Sequence, residues 1–321
     1  MKKIAFVFSC IVFPLYAQNK IEYLPFGDMN SWRVRYIEES ALIGGQTKAL
    51  YAIGKADTIY SNHPSPYGQD GSPWGTSNAF AKVCGMRKVA VSAFPEKRDN
   101  GYCCKLQTSL QTVTAVGINI KAVATGSLFT GQLGDPITFE GAKCPAKAID
   151  MGIPFAKRPS ALILDYKAII LPAYELQEAN ASTKVKTLLG HDEGEILLFL
   201  QHRWEDEDGN IFAYRVGTAS EHITQTIHDW QNDHRLPIRY GDLSLSTDFK
   251  PWEALTCTRF MARNSKGKMV YIQEIDYRGD IVPTHLIIQI SSGCQRPFVG
   301  CPGNTLWCDN IRLEYSTNKS I

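Results

Sequence analysis

Apolar and polar residues alternate along most of this chain, and apolar stripes at helical spacing are scarce. The last stretch shows the pattern best. His285-Leu286-Ile287-Ile288-Gln289-Ile290 is too apolar for a strand with one wet face, which predicts a central strand. From Thr305 to Tyr315, alternation places Trp307, Asp309, Ile311, Leu313 and Tyr315 on one face, and the two strands read as partners across a loop rich in Gly, Pro and Cys. Asp309 is the odd member of that row. A carboxylate on a packed face is costly unless a cation or several donors meet it. An early segment, Phe26-Gly27-Asp28-Met29-Asn30-Ser31-Trp32, supplies a second Asp beside carbonyl-rich backbone. First and last strands of an antiparallel sandwich can lie side by side, so Asp28 and Asp309 are expected to meet around a hard cation.

The same alternation runs through Trp32–Ile37, Lys88–Val91, Thr112–Val116 and Ala161–Lys167. Glu195–Gln201 and Ile211–Val216 read as a hairpin around the acidic turn Glu205–Asn210, whose spacing is not that of an EF-hand, so a solvated tip is expected. Trp252 to Arg263 and Lys268 to Tyr277 form another pair around Asn264-Ser265-Lys266-Gly267. Helical spacing is found from Thr218 to Asp233, where Ser220 supplies a cap and Ile223, Ile227 and Trp230 share a face. The fold class that follows is all-β: a jelly-roll-type antiparallel β-sandwich with long loops and one short helix. No repeat, low-complexity linker or charge break divides residues 18–321, which read as a single domain.

Composition adds three limits. The chain has 321 residues, 44% apolar and 21% charged, with a net charge of +2, and its basic residues are scattered, which argues against a nucleic acid partner. Met1-Lys2-Lys3 followed by IAFVFSCIVFPLYA has the form of a secretory signal ending at Ala17, too short to span a membrane, so an exported protein without a spanning segment is expected: periplasmic, surface-bound or extracellular. Loss of residues 1–17 leaves eight cysteines, and Cys294–Cys301 is the first pair expected to bridge.

Several landmarks then fall in a recognisable order: Phe26-Gly27-Asp28…Trp32, Trp74-Gly75-Thr76-Ser77-Asn78, and Ala124-Thr125-Gly126-Ser127-Leu128-Phe129-Thr130-Gly131. After them come Gly152-Ile153-Pro154-Phe155…Arg158-Pro159 and Ser291-Ser292…Gly300…Leu306…Asp309. In these the chain resembles the PCMD family, the putative carbohydrate metabolism domain of exported bacterial proteins. The resemblance implies a jelly-roll domain similar to carbohydrate-binding modules and to some glycan-active enzymes. It also implies a structural calcium ion near Asp28 and Asp309-Asn310. The cysteine-bearing loop Cys294–Cys301 departs from that pattern, which has Gly and acidic residues there.

Sugar recognition needs aromatic faces for the C–H side of the ring and planar polar groups for its hydroxyls. Trp74, Tyr67, Trp204, Trp230 and Trp252 lie in or near predicted loops and strand ends. Trp74 is favoured, because Asn78 and the Pro- and Gly-rich loop Ser61–Gly75 accompany it, although that loop also reads as a stiff crossover. Arg158 is a further ligand candidate for an acidic sugar, with a structural ion pair as its other reading. Hydrolysis would need two facing carboxyl groups. Glu274 and Asp276 share a strand face by alternation and are the catalytic candidates, and a solvent-facing edge has the same look. The expectation is an exported carbohydrate-binding or carbohydrate-processing sandwich, with binding ahead of hydrolysis. A surface adhesin or assembly subunit that meets protein is the alternative.

Overall fold

The computed structural model describes residues 19–61, 71–83, 85–115 and 118–317; the expected signal segment, residues 1–17, and Tyr67 lie outside the described residues. The strands that position the sites are, in chain order, β1 (Lys20–Tyr23), β2 (Trp74–Thr76), β3 (Ala93–Arg98), β4 (Gly101–Gln107), β5 (Ser127–Leu133) and β6 (Ala161–Ile169). They continue with β7 (Gly194–Glu205), β8 (Ile211–Ile223), β9 (Ile227–Pro237), β10 (Met269–Tyr277), β11 (His285–Ser291) and β12 (Thr305–Tyr315). One sheet has the order β9-β6-β12-β4-β3, with β1 also paired to β12. The larger sheet has the order β5-β11-β7-β8-β10, flanked by Ile149–Met151 and Met261–Arg263, with β2 on β5. Smaller hairpins and ribbons, such as Ser109–Ala115 with Ile118–Ala124, decorate these two sheets. No helix among the described residues is long and apolar enough to cross a membrane.

The two sheets pack face to face. Leu106, Leu162, Leu164, Ile196, Leu198, Leu286, Ile288, Ile290, Leu306 and Leu313 fill the space between them. The far face of the larger sheet is covered too, with Leu197, Phe199 and Ile287 packed against Phe129, Phe260 and Ile272. Strands β7 and β11 are therefore buried on both faces, which is why their apolar runs are continuous. β11 lies between β5 and β7, as its composition predicts.

First and last strands do lie side by side, Lys20 opposite Tyr315 and Tyr23 opposite Arg312. Three expectations need correction. β11 and β12 are not partners; they belong to different sheets, and the Cys-bearing loop carries the chain across the sandwich. The helix expected from Thr218 to Asp233 is the end of β8, a turn at 224–226, and β9. Ile223 and Ile227 reach the same core from the two arms of that turn, so their four-residue spacing imitates a helix face. The α-helix among the described residues is instead Phe139–Lys143, capped by Thr138. β10 also runs parallel to β8, because the chain between them crosses to the other sheet as β9 and returns along the long segment 241–260.

The third correction concerns Asp309. Ile163 pairs with Arg312 while Asp165 pairs with Asp309, so β12 carries one extra residue, and Asn310 has φ 52°. A bulge reverses which residues face inward. Leu306, Cys308, Ile311 and Leu313 enter the core, whereas Trp307 and Asp309 turn to the opposite face. Asp309 was out of place in an apolar row because it is not in that row.

Acid stability follows from β11. Burial, with Arg203 and His202 nearby, pushes the His285 imidazole down to about 4. An unfolded histidine titrates near ~6.5. The neutral ring is thus favoured by the fold, so its contribution is complete above about pH 6.5 and is lost as pH falls toward about 4. The loss is on the order of 2–3 kcal/mol. Urea unfolding at pH 7 and pH 4.5 should show a smaller acid penalty in His285→Asn than in the parent; equal penalties would remove His285 as the cause.

Candidate functional site

The residues singled out by sequence reasoning scatter into structural roles. Trp74 is 5% exposed, belongs to the core between the sheets, and donates its indole N–H to the Pro25 carbonyl at 2.9 Å. It has no open ring face for a sugar. Asn78 is buried and spends its whole amide on the backbone: Nδ2 donates to Tyr51 O and Ala93 O, and Oδ1 accepts from Ser92 N and Ala93 N. Arg158 is exposed, but its guanidinium donates to Ile281 O and Gly279 O and lies 4.2 Å from the Tyr240 ring centroid, so it clamps a loop.

Glu274 and Asp276 do not face one another. Ala213 pairs with Glu274 and Tyr214 with Asp276, leaving Ile275 as an extra residue that breaks the alternation between the two acids. Asp276 is exposed and accepts the Tyr277 N–H. Glu274 is buried beside Arg215, both side chains 0% exposed. Its Oε1 accepts Arg215 Nε and Gln201 Nε2, each at 2.6 Å, and its Oε2 accepts the Thr256 N–H at 3.0 Å and Arg215 Nη2. Arg215 also lies over the Phe199 ring. Every lone pair of this carboxylate that geometry offers is spoken for, so it clamps strands together.

The cation demanded by Asp309 is present as a guanidinium. Arg98 Nη1 lies 2.8 Å from Asp309 and 3.0 Å from Asp165, and its carbon sits 3.9 Å from the Trp230 ring centroid. Burial pushes the Asp309 carboxyl up to about 6, opposed by the Asn310 N–H and Arg98 and aided by Asp165. Asp28 has a separate partner: it accepts from Asn30 Nδ2 at 3.2 Å on an exposed turn. The structure thus gives Asp28 and Asp309 different neighbours.

Two other constellations carry chemistry. The first is aromatic. β7 runs on past Gln201, where its pairing with β11 stops, and there Trp204 lies opposite Phe212 and His202 opposite Tyr214. Trp204 and Phe212 are stacked, with centroids 5.8 Å apart and planes at 24°, and Tyr214 lies 4.7 Å from Trp204. All three are partly exposed. Arg278 approaches Tyr214 at 5.5 Å and pairs with Asp280. This ring face was legible in principle: a hairpin around 206–210 sets Trp204 against Phe212.

The second constellation is polar and lies at the other end of the same hairpin. Glu195, on the outer face of β7, is the direct cross-strand partner of His222 on β8. His222 Nδ1 lies 2.8 Å from Glu193 Oε2, and Nε2 lies 3.3 Å from Glu195 Oε1. Its ring stacks on Trp252, centroids 3.7 Å apart and planes at 7°. Glu195 Oε2 accepts from Arg259 at 2.6 Å and Gln289 at 2.9 Å. Burial alone would lower the His222 pKa, but hydrogen bonds to Cys294, Glu195 and Glu193 carry it up to about 10. Cys294 reaches this group on the loop after β11.

The loop itself is not closed by the expected bridge: Cys294 and Cys301 are both free thiols. Asp192 holds it instead, Oδ1 accepting Cys294 N at 2.9 Å and Oδ2 accepting Cys301 N at 3.0 Å. Burial raises the Asp192 pKa, and those backbone N–H groups oppose the shift. Gly293 and Gly300 press against the carboxylate, where an added Cβ would lie 2.6 and 3.1 Å from Oδ2.

A family model described as "Putative carbohydrate metabolism domain" matches residues 51–314, most of the chain. The chain belongs to that family. Among curated proteins none matches it. The solved structures it is similar to include a putative glycoside hydrolase from Bacteroides thetaiotaomicron, at 19% identity and TM-score 0.48, covering 89% of this chain and 71% of that one. Another is a putative glycoside hydrolase from Bacteroides vulgatus, at 16% identity and TM-score 0.41, covering 92% and 94%. A structure from work on promiscuous carbohydrate-binding modules of the β-sandwich superfamily matches at 11% identity and TM-score 0.25, covering 83% and 68%. The sandwich architecture of this family member rests on its own strand pairing.

The family landmarks meet one another in space. Ser292 Oγ donates to Gly126 O and accepts the Gly126 N–H, and Ser127 Oγ touches Ser291 Oγ at 2.9 Å. β2 pairs with β5, so the Trp74–Asn78 run lies along the Gly126–Gly131 run. Gly27 packs against the Ile311 carbonyl, where an added Cβ would lie at 2.5 Å. These landmarks form a framework for the sandwich.

Proposed function

We propose that the protein recognises carbohydrate and that the face formed by Trp204, Phe212 and Tyr214 holds a sugar ring. The observation behind this reading is that set of three neighbouring, partly exposed rings on one rigid hairpin. A pyranose presents C–H groups on its faces and hydroxyls around its rim, so flat rings take the face while planar polar groups such as Arg278 and Asp280 take the rim. Membership of a carbohydrate metabolism family supports the ligand class. Binding is favoured over hydrolysis, because Glu274 is engaged by Arg215 and is not opposed to Asp276. Export, proposed from the basic-apolar leader of residues 1–17, suits a protein that meets glycans outside the cytoplasm. Strand addition to a protein partner is disfavoured along β9, an edge strand whose exposed residues include the charged Asp229, Asp233 and Arg235.

A glycan array probed with the protein should show selective binding. Trp204→Ala should weaken the best ligand by about 30-fold, the ~2 kcal/mol of a buried aromatic anchor. Trp74→Ala, by contrast, should reduce stability rather than specificity. Full glycan affinity in folded Trp204→Ala would exclude this face, and silence across the array would exclude the function.

A further inference from the structure

We propose that Glu193, His222 and Cys294 form a binding site for a thiophilic divalent transition metal, zinc first among them. The three offer a carboxylate oxygen, an imidazole nitrogen and a sulfur that all lie within 4.8 Å of one another. They come from three separate segments: the residue before β7, the end of β8, and the loop after β11. A tetrahedral ion with zinc–ligand bonds of ~2.0–2.3 Å needs its donors about 3.3–3.6 Å apart. The His222 Nδ1–Glu193 pair, now at 2.8 Å, opens slightly to admit such an ion, and the rest of the set already lies within 4.8 Å.

What surrounds the donors makes this more than a chance cluster. A histidine that ligates a metal through one nitrogen characteristically gives the other to a carboxylate, which fixes its tautomer and its aim. Here Nε2 of His222 faces Glu195 at 3.3 Å while Nδ1 faces Glu193. Glu195 is in turn fixed by Arg259 and Gln289, and Trp252 lies flat under the imidazole. Cys294 is placed by its own backbone N–H on Asp192. The donor set points the same way. Arg259 serves Glu195, which leaves a carboxylate oxygen of Glu193 and the Cys294 sulfur beside the imidazole, the O, N and S donors that zinc takes. Glu193 and Cys294 are partly exposed, which leaves a fourth position open to water or a ligand. The site faces away from the Trp204 rings, on the other face of the hairpin, and is independent of the glycan reading.

The test uses the tag-free full chain. Equilibration with zinc should give one tightly held ion per chain by elemental analysis. Cobalt(II) in its place should give a thiolate-to-cobalt charge-transfer band that Cys294→Ser abolishes. Glu195→Gln should weaken zinc about 10- to 100-fold while leaving the ligands in place. Zinc should slow alkylation of Cys294 about tenfold, read by peptide mass, with exposed Cys257 as the indifferent control. This last measurement needs no variant, so it holds even if a substitution impairs folding. Substoichiometric uptake, a cobalt complex without the thiolate band, or alkylation of Cys294 unaffected by zinc would each overturn the proposal.

Discussion

Glu274→Ala is expected to destabilise the protein by about 3–5 kcal/mol, because it leaves the Arg215 charge buried without its counter-ion. Arg215 is fully enclosed, with Phe199 against its guanidinium and, among the described residues, Thr218 Oγ1 and the Glu253 carbonyl as its other acceptors. Neither acceptor is charged, and the side chain has no solvent exposure. The lost partner also strands Gln201 Nε2 and the Thr256 N–H, which now donate to the carboxylate. In a chain of this size the melting temperature should fall by roughly 10 °C. Replacing the pair together, Arg215→Met with Glu274→Leu, removes both charges and should cost less than the single change, giving a large coupling in a double-mutant cycle. Urea unfolding of the four proteins measures it. Glu274→Gln adds a decisive contrast with the catalytic role that alternation suggests for this residue. If a glycan-cleaving activity vanished in Glu274→Gln while the unfolding midpoint stayed put, the structural assignment would fail.

Gly126→Ala should be nearly as damaging, at about 3 kcal/mol or more. A Cβ at this position would lie 2.2 Å from Gln107 N, 2.5 Å from Ser92 O and 2.7 Å from Leu106 C. All three are backbone atoms, so no rotamer change relieves the clash; the β3–β4 arm would have to move away from β5. That movement would also pull Thr108, at the end of the arm, away from Ser292, whose hydroxyl lies 2.9 Å from its own. Gly134→Ala is the control, since its nearest neighbour would be Ala148 O at 3.5 Å and its φ is not positive. It should stay within about 0.5 kcal/mol of the parent. Equal midpoints for the two alanine variants would show that this junction yields more easily than its packing implies.

The candidate site was partly legible. Trp204, Phe212 and Tyr214 follow from the hairpin register, which the Glu205–Asn210 turn announces. Trp74 drew attention because it sits among Gly and Pro in a landmark run, but those small residues let β2 pack closely on β5 and seal the indole inside. Hairpin neighbours are close in sequence, so local pattern finds them. The His222 group joins residues from 193 to 294 through two sheet pairings and one loop, and no local spacing announces it.

What the sequence determined by itself is the all-β class, the central place of β11 and the long β7–β8 hairpin. Each follows from alternation, continuous apolar runs or turn chemistry, which act over a few residues. Tertiary structure decided which sheet each strand joined and which way its side chains turned. One extra residue in β12 reversed the face of Asp309 and delivered it to Arg98, and one in β10 parted Glu274 from Asp276. A bulge is paid for by partners distant in the chain, so alternation carries no trace of it.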